Sequence, residues 1–218
     1  MSSEQTGAPS TETEAPAPSP WNLPNALTVV RILLVPVFVW LILRDGGDVT
    51  ASRWWAWAVF TIAIITDRID GDLARAKGLV TDFGKVADPI ADKALTGAGF
   101  ITLSMIGEIP WWITIVILAR EVGITLMRFW IIRHGVMPAS RGGKIKTFLQ
   151  ALAIGLFVWP LHTFPIEELW RGAALAVLVA ALVVTIATGV DYVIKALRLR
   201  TTSDRARMKR EHRAADDG

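Results

Sequence analysis

Residues 66–93 read TDRIDGDLARAKGLVTDFGKVADPIADK, and this stretch carries acidic residues between strongly apolar runs. Asp67 and Asp70 lie three positions apart, and Asp88 and Asp92 lie four apart. Residues at these spacings project from one face of a helix. The spacing therefore predicts two neighbouring helices that present four carboxylates to each other.

The chain around this stretch is too apolar for a soluble domain of its size. Of its 218 residues 52% are hydrophobic, and the mean hydropathy is +0.43. A helix needs about 20 mostly apolar residues to cross a bilayer. Six runs are candidates: 29–43, 54–65, 86–106, 110–132, 147–161 and 169–197. We therefore predict an all-α integral membrane protein with six transmembrane helices.

The two ends of the chain differ from this membrane domain, which is predicted to span residues 21–198. Residues 1–20 are rich in Ser, Thr, Pro, Ala and Glu, a composition typical of a disordered tail. Residues 199–218 form a basic tail, for which we expect attraction to anionic membrane lipids and no nucleic-acid partner. Residues 21–28, WNLPNALT, are predicted to lie along the membrane surface, with Pro24 near the start of a helix.

The distribution of Lys and Arg predicts that both termini are cytoplasmic, in the plasma membrane, with the acidic motif on the same side. The connections assigned to that side carry Arg75, Lys77, Arg133, Arg141, Lys144 and Lys146. The opposite connections carry Arg44, Arg53 and Arg171. Cysteine is absent from the sequence, which excludes disulfides and thiolate metal sites.

Four facing carboxylates repel one another at the edge of a low-dielectric medium unless a cation neutralises them. Oxygen ligands select hard divalent cations, so we predict Mg²⁺ or Mn²⁺, as a pair of ions. Two such metals suit a diphosphate substrate. Gly71, Ala74 and Gly84 leave room for a ligand or for the neighbouring helix, and Arg75 offers a fork of donors to a phosphate.

The pattern D-x-x-D-G-x-x-A-R, eight residues, then G-x-x-x-D-x-x-x-D resembles the signature of the CDP-alcohol phosphatidyltransferase family. Its fixed positions here are Asp67, Asp70, Gly71, Ala74, Arg75, Gly84, Asp88 and Asp92. The resemblance implies that the four aspartates bind the metal pair, and that Gly71, Ala74, Arg75 and Thr81 contact the CDP group. It also implies that Asp92 is the base that deprotonates an acceptor hydroxyl, which then attacks CDP-diacylglycerol and displaces CMP. A homodimer is common in that family.

Two further segments resemble members of the family whose acceptor is glycerol 3-phosphate. These are residues 22–31, NLPNALTVVR, and residues 119–130, AREVGITLMRFW, followed by GGKIKT. The implied cationic partners of the acceptor phosphate are Arg120, Arg128, Lys144 and Lys146. Asn25 and Thr28 are candidates for contact with the nucleotide or diphosphate, and Arg31 for contact with a phosphate or a lipid headgroup. Because adjacent residues diverge on a helix, we expect Arg120 to find a partner other than Glu121.

The same residues are compatible with other functions. Intramembrane acids and arginines also line ion and proton paths, so a transporter is the alternative outside enzymology. An intramembrane prenyltransferase also binds a diphosphate through metals, although its motif is arranged differently. Within the resembled family, inositol phosphate, serine and phosphatidylglycerol are alternative acceptors. Asp191, alone near the end of the last span, is expected to face a polar pocket or to pair with an arginine.

Overall fold

The computed structural model describes residues 22–44, 46–76, 81–131, 141–160, 163 and 165–202. These residues form six α-helices and no strand, which confirms the predicted all-helical class. The helices are α1 (Leu23–Leu43), α2 (Thr50–Ala76), α3 (Asp82–Met105), α4 (Trp111–Ile131), α5 (Arg141–Val158) and α6 (Glu167–Thr202). The predicted tail at residues 1–20 lies outside the described residues, and α6 continues to Thr202, past the predicted boundary at 198.

The first helix begins with a side-chain cap. Asn22 precedes α1 and accepts a hydrogen bond from the backbone N–H of Asn25 at 3.0 Å. Pro24 lies in the first turn, where its missing N–H breaks no intrahelical bond. The helix start expected near Pro24 is thus confirmed. Residues 23–28 are the first turns of a continuous α1, so the structure has no separate segment there.

Consecutive helices run antiparallel, because side-chain contacts join the ends of one helix to the opposite ends of the next. Arg31, early in α1, reaches Asp67 and Asp70 late in α2. Arg53, early in α2, reaches Glu108 just after α3. Helix α1 packs against α2 and α3, while α6 packs against α4 and α5.

The hydrophobic core occupies one half of this bundle, which we call the apolar half. It is built by the C-terminal halves of α1, α3 and α5 and the N-terminal halves of α2, α4 and α6. Its large buried residues are Phe38, Ile42, Phe60, Phe100, Leu103, Ile117, Ile154, Phe157 and Leu178. The opposite half of each helix, here called the site half, contains the buried polar residues Asn25, Thr28, Arg31, Asp70 and Lys146.

An ion-pair group closes the outer end of the apolar half. Arg53 is buried and donates to Glu108 Oε1 at 2.7 Å and to the carbonyl of Phe157 at 3.0 Å. Arg171, at the start of α6, lies 3.5 Å from the other oxygen of Glu108. Arg53 was expected in a connecting loop, but it lies in the first turn of α2. Its ion pair with Glu108 neutralises the charge that is buried there.

Two helices are long and apolar enough to cross a membrane by length and composition, α1 and the Glu167–Arg198 portion of α6. Helices α2 to α5 each carry at least three charged residues. Most of these charges lie in the site half, so the same residues that lower the apolarity of these helices build the polar interior described below.

A tight contact between α3 and α5 generates a stability prediction. A Cβ added to Gly99 would lie 2.8 Å from Ile154 Cγ2, and Ile154 is fully buried. We expect Gly99→Ala to lower the unfolding free energy by about 1–3 kcal/mol, the usual cost of overpacking. Gly123→Ala on α4, where nothing lies within 4 Å, is the control and should be neutral or stabilising by up to about 1 kcal/mol. Unfolding of both variants in detergent measures the difference, and equal stability would contradict this packing.

Candidate active site

One face of α1 is polar although the rest of the helix is apolar. Asn25, Thr28 and Arg31 are spaced three residues apart and are all buried. Side chains at this spacing lie close together on one side of a helix. This face points into the site half and contacts α2 and α3.

Arg31 connects α1 to the acidic end of α2. Its guanidinium forms ion pairs with Asp67, at 2.6 Å between Nη1 and Oδ1, and with Asp70. The contact with Asp70 also has hydrogen-bond geometry, whereas the one with Asp67 does not. Because Arg31 and Asp70 are almost fully buried, each neutralises a charge that the interior would otherwise disfavour.

The same face of α1 holds the start of α3. Thr28 donates a hydrogen bond to Asp88 at 2.5 Å. The amide nitrogen of Asn25 lies 2.8 Å from the hydroxyl oxygen of Thr81, and that oxygen caps α3 by accepting from the N–H of Gly84 at 3.1 Å. A Cβ on Gly84 would lie only 2.8 Å from Asn25 Oδ1, so α1 can approach α3 this closely because residue 84 is glycine.

A second polar group, which we call the cationic cluster, joins α4, α5 and α6. Its members are Arg120, Glu121, Lys146 and Thr188. Glu121 Oε1 lies 2.5 Å from Lys146 Nζ and 3.1 Å from Arg120 Nη1, and Arg120 Nη2 donates to Thr188 at 3.1 Å. The expectation that Arg120 avoids its neighbour Glu121 is therefore wrong: the long Arg120 side chain reaches back to the Glu121 carboxylate.

Asp92 on α3 is close enough to both polar groups to interact with their charges. It interacts electrostatically with Asp67 and Arg31 of the first group and with Lys146 and Glu121 of the cationic cluster. Asp70 interacts in the same way with Asp67 and Asp88. Carboxylates of α2 and α3 therefore share one region of the site half, as their spacing predicted.

Among the described residues, no three or more acidic or histidine side chains are gathered closely enough to hold a metal ion. Two of the four aspartates are engaged by Arg31 and a third by Thr28. The candidate ligands are carboxylate oxygens, which suit a hard divalent cation. Arg31, however, pairs with Asp67 and Asp70 at the place where a cation would bind them. The metal site thus stays a prediction.

The remaining candidates separate clearly by position. Lys146 is buried in the cationic cluster, whereas Lys144 on the same helix is exposed. Arg128 lies with its guanidinium 6.0 Å from the ring centre of Tyr192 on α6. The side chains of Ala74 and Arg75 lie outside the described part of the chain. Asp191 pairs with Lys195 at 2.7 Å on the exposed face of α6, so its cationic partner is a lysine rather than an arginine.

A family model described as CDP-alcohol phosphatidyltransferase matches residues 21–193 of the chain. The chain belongs to the CDP-alcohol phosphatidyltransferase family. The resemblance read from the motif is confirmed, and the match covers all six helices apart from the end of α6.

Relatives of this chain carry names that specify a product or an acceptor. "Probable phosphatidylglycerophosphate synthase" of Mycobacterium tuberculosis (strain CDC 1551 / Oshkosh) is 54% identical over 177 residues, 81% of this chain and 82% of the relative. "CDP-diacylglycerol--glycerol-3-phosphate 3-phosphatidyltransferase" of Bacillus subtilis (strain 168) is 37% identical over 84% of this chain and 100% of the relative. "Cardiolipin synthase (CMP-forming)" of Streptomyces coelicolor is 34% identical over 63% of this chain and 65% of the relative.

The sequence alone does not identify the roles of two residues of the site. Arg31 was assigned to a phosphate or a lipid, although its position three residues after Thr28 and six after Asn25 marks it as part of the polar face of α1. Glu121 was treated only as a neighbour of Arg120. An acid within an apolar helix is a signal in itself, since it needs a cationic partner from another helix.

Replacing Arg31 tests the charge balance of the site. Arg31→Gln leaves Asp67 and Asp70 without their buried cation, so we expect a loss of about 3–5 kcal/mol in unfolding free energy. The control is Arg171→Gln, which removes a half-exposed pair and should cost about 0–1 kcal/mol. Adding Asp70→Asn to Arg31→Gln should recover part of the loss. Equal losses for the two single variants, measured by unfolding in detergent, would contradict the role given to Arg31.

Proposed function

We propose that this chain transfers the phosphatidyl group of CDP-diacylglycerol to glycerol 3-phosphate, which yields phosphatidylglycerophosphate and CMP. The observation that carries the proposal is that one half of the bundle holds both the aspartates of the family motif and the cationic cluster, with Asp92 interacting electrostatically with both groups. A base at this place has a diphosphate site on one side and an anion site on the other. The names of the relatives from M. tuberculosis and B. subtilis agree with this donor and acceptor.

The cationic cluster favours a phosphate monoester as acceptor. Arg120 and Lys146 are two buried cations that lie on one carboxylate oxygen, and a dianionic phosphate needs more than one cation to enter an apolar interior. Arg128 and Lys144 are the weaker candidates, because one lies over Tyr192 and the other is exposed. Phosphatidylglycerol, with a singly charged phosphodiester, is the second candidate acceptor, since a cardiolipin synthase is among the relatives.

The CDP end of the donor is assigned to the opposite group. We place it near Asn25, Thr28 and Thr81, whose hydrogen bonds hold α1 against α3 beside Asp88. Gly71, Ala74 and Arg75 follow the motif aspartates on the last turns of α2, and we assign their contacts to the nucleotide or its diphosphate. This keeps the leaving group on the α2 and α3 side of Asp92.

Asp67, Asp70, Asp88 and Asp92 would hold Mg²⁺ or Mn²⁺, as a pair of ions, after Arg31 and Thr28 give up their present contacts. Such ions supply neutralisation of the diphosphate oxygens and stabilise the departing phosphate. The residues of the chain supply the remaining steps. Arg120 and Lys146 orient glycerol 3-phosphate, Asp92 accepts the proton of its hydroxyl, and the hydroxyl oxygen forms a bond to the β-phosphorus as the bond to CMP breaks.

The proposal includes a topology of six transmembrane helices with both termini and the active site on the cytoplasmic side of the cell membrane. Support comes from the antiparallel order of the helices and from the Lys and Arg residues that the sequence carries between α2 and α3 and between α4 and α5. Glycerol 3-phosphate is a soluble metabolite and CDP-diacylglycerol a lipid, so a site at the membrane surface gives both of them access.

Replacing the proposed base tests the chemistry. Asp92→Asn keeps the size of the side chain but removes its capacity to accept a proton, so CMP release should fall by about 100-fold or more. The assay uses purified protein with CDP-diacylglycerol, Mg²⁺ and glycerol 3-phosphate. Asp191→Asn, an exposed acid on α6, is the matched control and should retain activity. Parallel assays with inositol phosphate, serine and phosphatidylglycerol check the acceptor, and activity confined to one of these would refute glycerol 3-phosphate.

Metal removal separates the transferase from a transporter. We expect a chelator to abolish CMP release and added Mg²⁺ or Mn²⁺ to restore it, because the carboxylates need a cation before they can hold a diphosphate. The same preparation in vesicles should show no ion or proton flux. Chelator-resistant release of CMP would overturn the metal requirement, and flux without turnover would favour the transporter.

A further inference from the structure

Glu121 is the centre of the cationic cluster, and no step of the proposed reaction uses it. One of its oxygens contacts both Arg120 of its own helix and Lys146 of α5, at 3.1 Å and 2.5 Å. The three side chains are largely buried, with exposed fractions of 15% for Arg120, 17% for Glu121 and 7% for Lys146. Two cations from different helices therefore meet at a single buried oxygen.

We propose that Glu121 is the positioning residue of an acceptor-phosphate subsite, where its carboxylate holds Arg120 and Lys146 so that one phosphate group can contact both. The proposal deepens the proposed function and rests on it for the identity of the acceptor. The ligand chemistry it assigns is a phosphate monoester dianion. Glu121 itself contacts the two cations and not the substrate.

Two long cationic side chains do not stay close together without an anion. They repel each other, each loses considerable rotamer entropy when fixed, and lysine in an apolar helix turns its charge toward water. Glu121 offsets these tendencies by accepting hydrogen bonds from both. A pair held in place before the substrate arrives binds it more tightly than a pair that must first be ordered.

The cluster keeps positive charge to offer a ligand. Arg120, Lys146 and Lys93 all interact with Glu121, so three cations surround one carboxylate. Lys93 comes from α3, where it contacts Thr125 of α4, and it follows Asp92 in sequence. Asp92 also interacts with Lys146 and Glu121, so these three cations and two carboxylates leave one net positive charge to attract an anionic ligand.

Arg120 has a second anchor on α6. It donates to Thr188 at 3.1 Å, and its Cγ lies 3.1 Å from the position of a Cβ on Gly189, so it rests directly against the α6 backbone. Lys146 has no second hydrogen-bond partner among those identified in the described part of the chain. Loss of Glu121 should therefore release Lys146 more than Arg120.

Glu108 offers a matched control at the opposite end of the bundle. Its carboxylate also forms ion pairs with two cations, Arg53 at 2.7 Å and Arg171 at 3.5 Å. Its side chain is 19% exposed, close to the 17% of Glu121. Glu108→Gln should lower the melting temperature, because it weakens an ion-pair group, and should leave both KM values unchanged. A purely structural role for Glu121 would give the same pattern.

The experiment compares Glu121→Gln, Glu108→Gln and Thr188→Val in the purified full-length chain, with KM measured separately for glycerol 3-phosphate and CDP-diacylglycerol. For Glu121→Gln we expect the KM for glycerol 3-phosphate to rise about tenfold, as is typical when a charge-assisted hydrogen bond is lost. The KM for CDP-diacylglycerol should stay within about twofold, which is the usual spread of such neutral changes. Thr188→Val should shift the same KM by less. Equal changes in both KM values, or a change in kcat alone, would overturn the proposal.

A binding measurement without turnover separates this proposal from the proposed function. Inorganic phosphate and glycerol 3-phosphate, each without CDP-diacylglycerol, should raise the melting temperature of the wild-type chain but not that of Glu121→Gln. If the wild type turns over another acceptor and this difference persists, the acceptor assignment fails and the subsite stands. If the wild type uses glycerol 3-phosphate but both proteins respond alike, or neither responds to phosphate, the positioning role of Glu121 is wrong.

Discussion

A charged carboxylate buried in an apolar bundle needs a cation beside it, and Arg31 provides one for Asp70 while also pairing with the half-exposed Asp67 one turn earlier. Its ion pairs with Asp67 and Asp70 fix the register between α1 and α2. Thr28 and Asn25 lie on the same face of α1, so the same register brings them to Asp88 and Thr81 at the start of α3. The arrangement of the first three helices thus depends on one buried guanidinium.

The bundle separates stability from chemistry along its length. Aromatic and branched side chains fill the apolar half, where large buried surfaces contribute most of the packing energy. The site half contains charged groups whose mutual pairing recovers only part of the cost of burial. This cost is acceptable because the opposite half supplies the cohesion, and a site built from partly compensated charges can exchange its internal partners for ligands.

The sequence was sufficient to predict the helical class, the approximate bounds of the six helices and the family, because apolar runs and motif spacing are local properties of the chain. The spacing of the motif also predicted that aspartates of α2 and α3 interact with each other. The sequence could not predict which cation pairs with which acid, since the partners of Arg31 and Lys146 lie on other helices. The difference between buried Lys146 and exposed Lys144 depends on the rotation of α5, and a helix with weak amphipathicity does not reveal that rotation.

Gly84 packs where the start of α1 meets the start of α3, two segments that are distant in sequence. The amide of Asn25 occupies the space that a side chain at position 84 would need. The same amide hydrogen-bonds the hydroxyl of Thr81, which caps α3. Positions 25, 81 and 84 therefore form one unit for protein engineering: a larger residue at any of them demands compensation at the other two. Attempts to redesign the packing at this end of the bundle would have to vary all three in the same library.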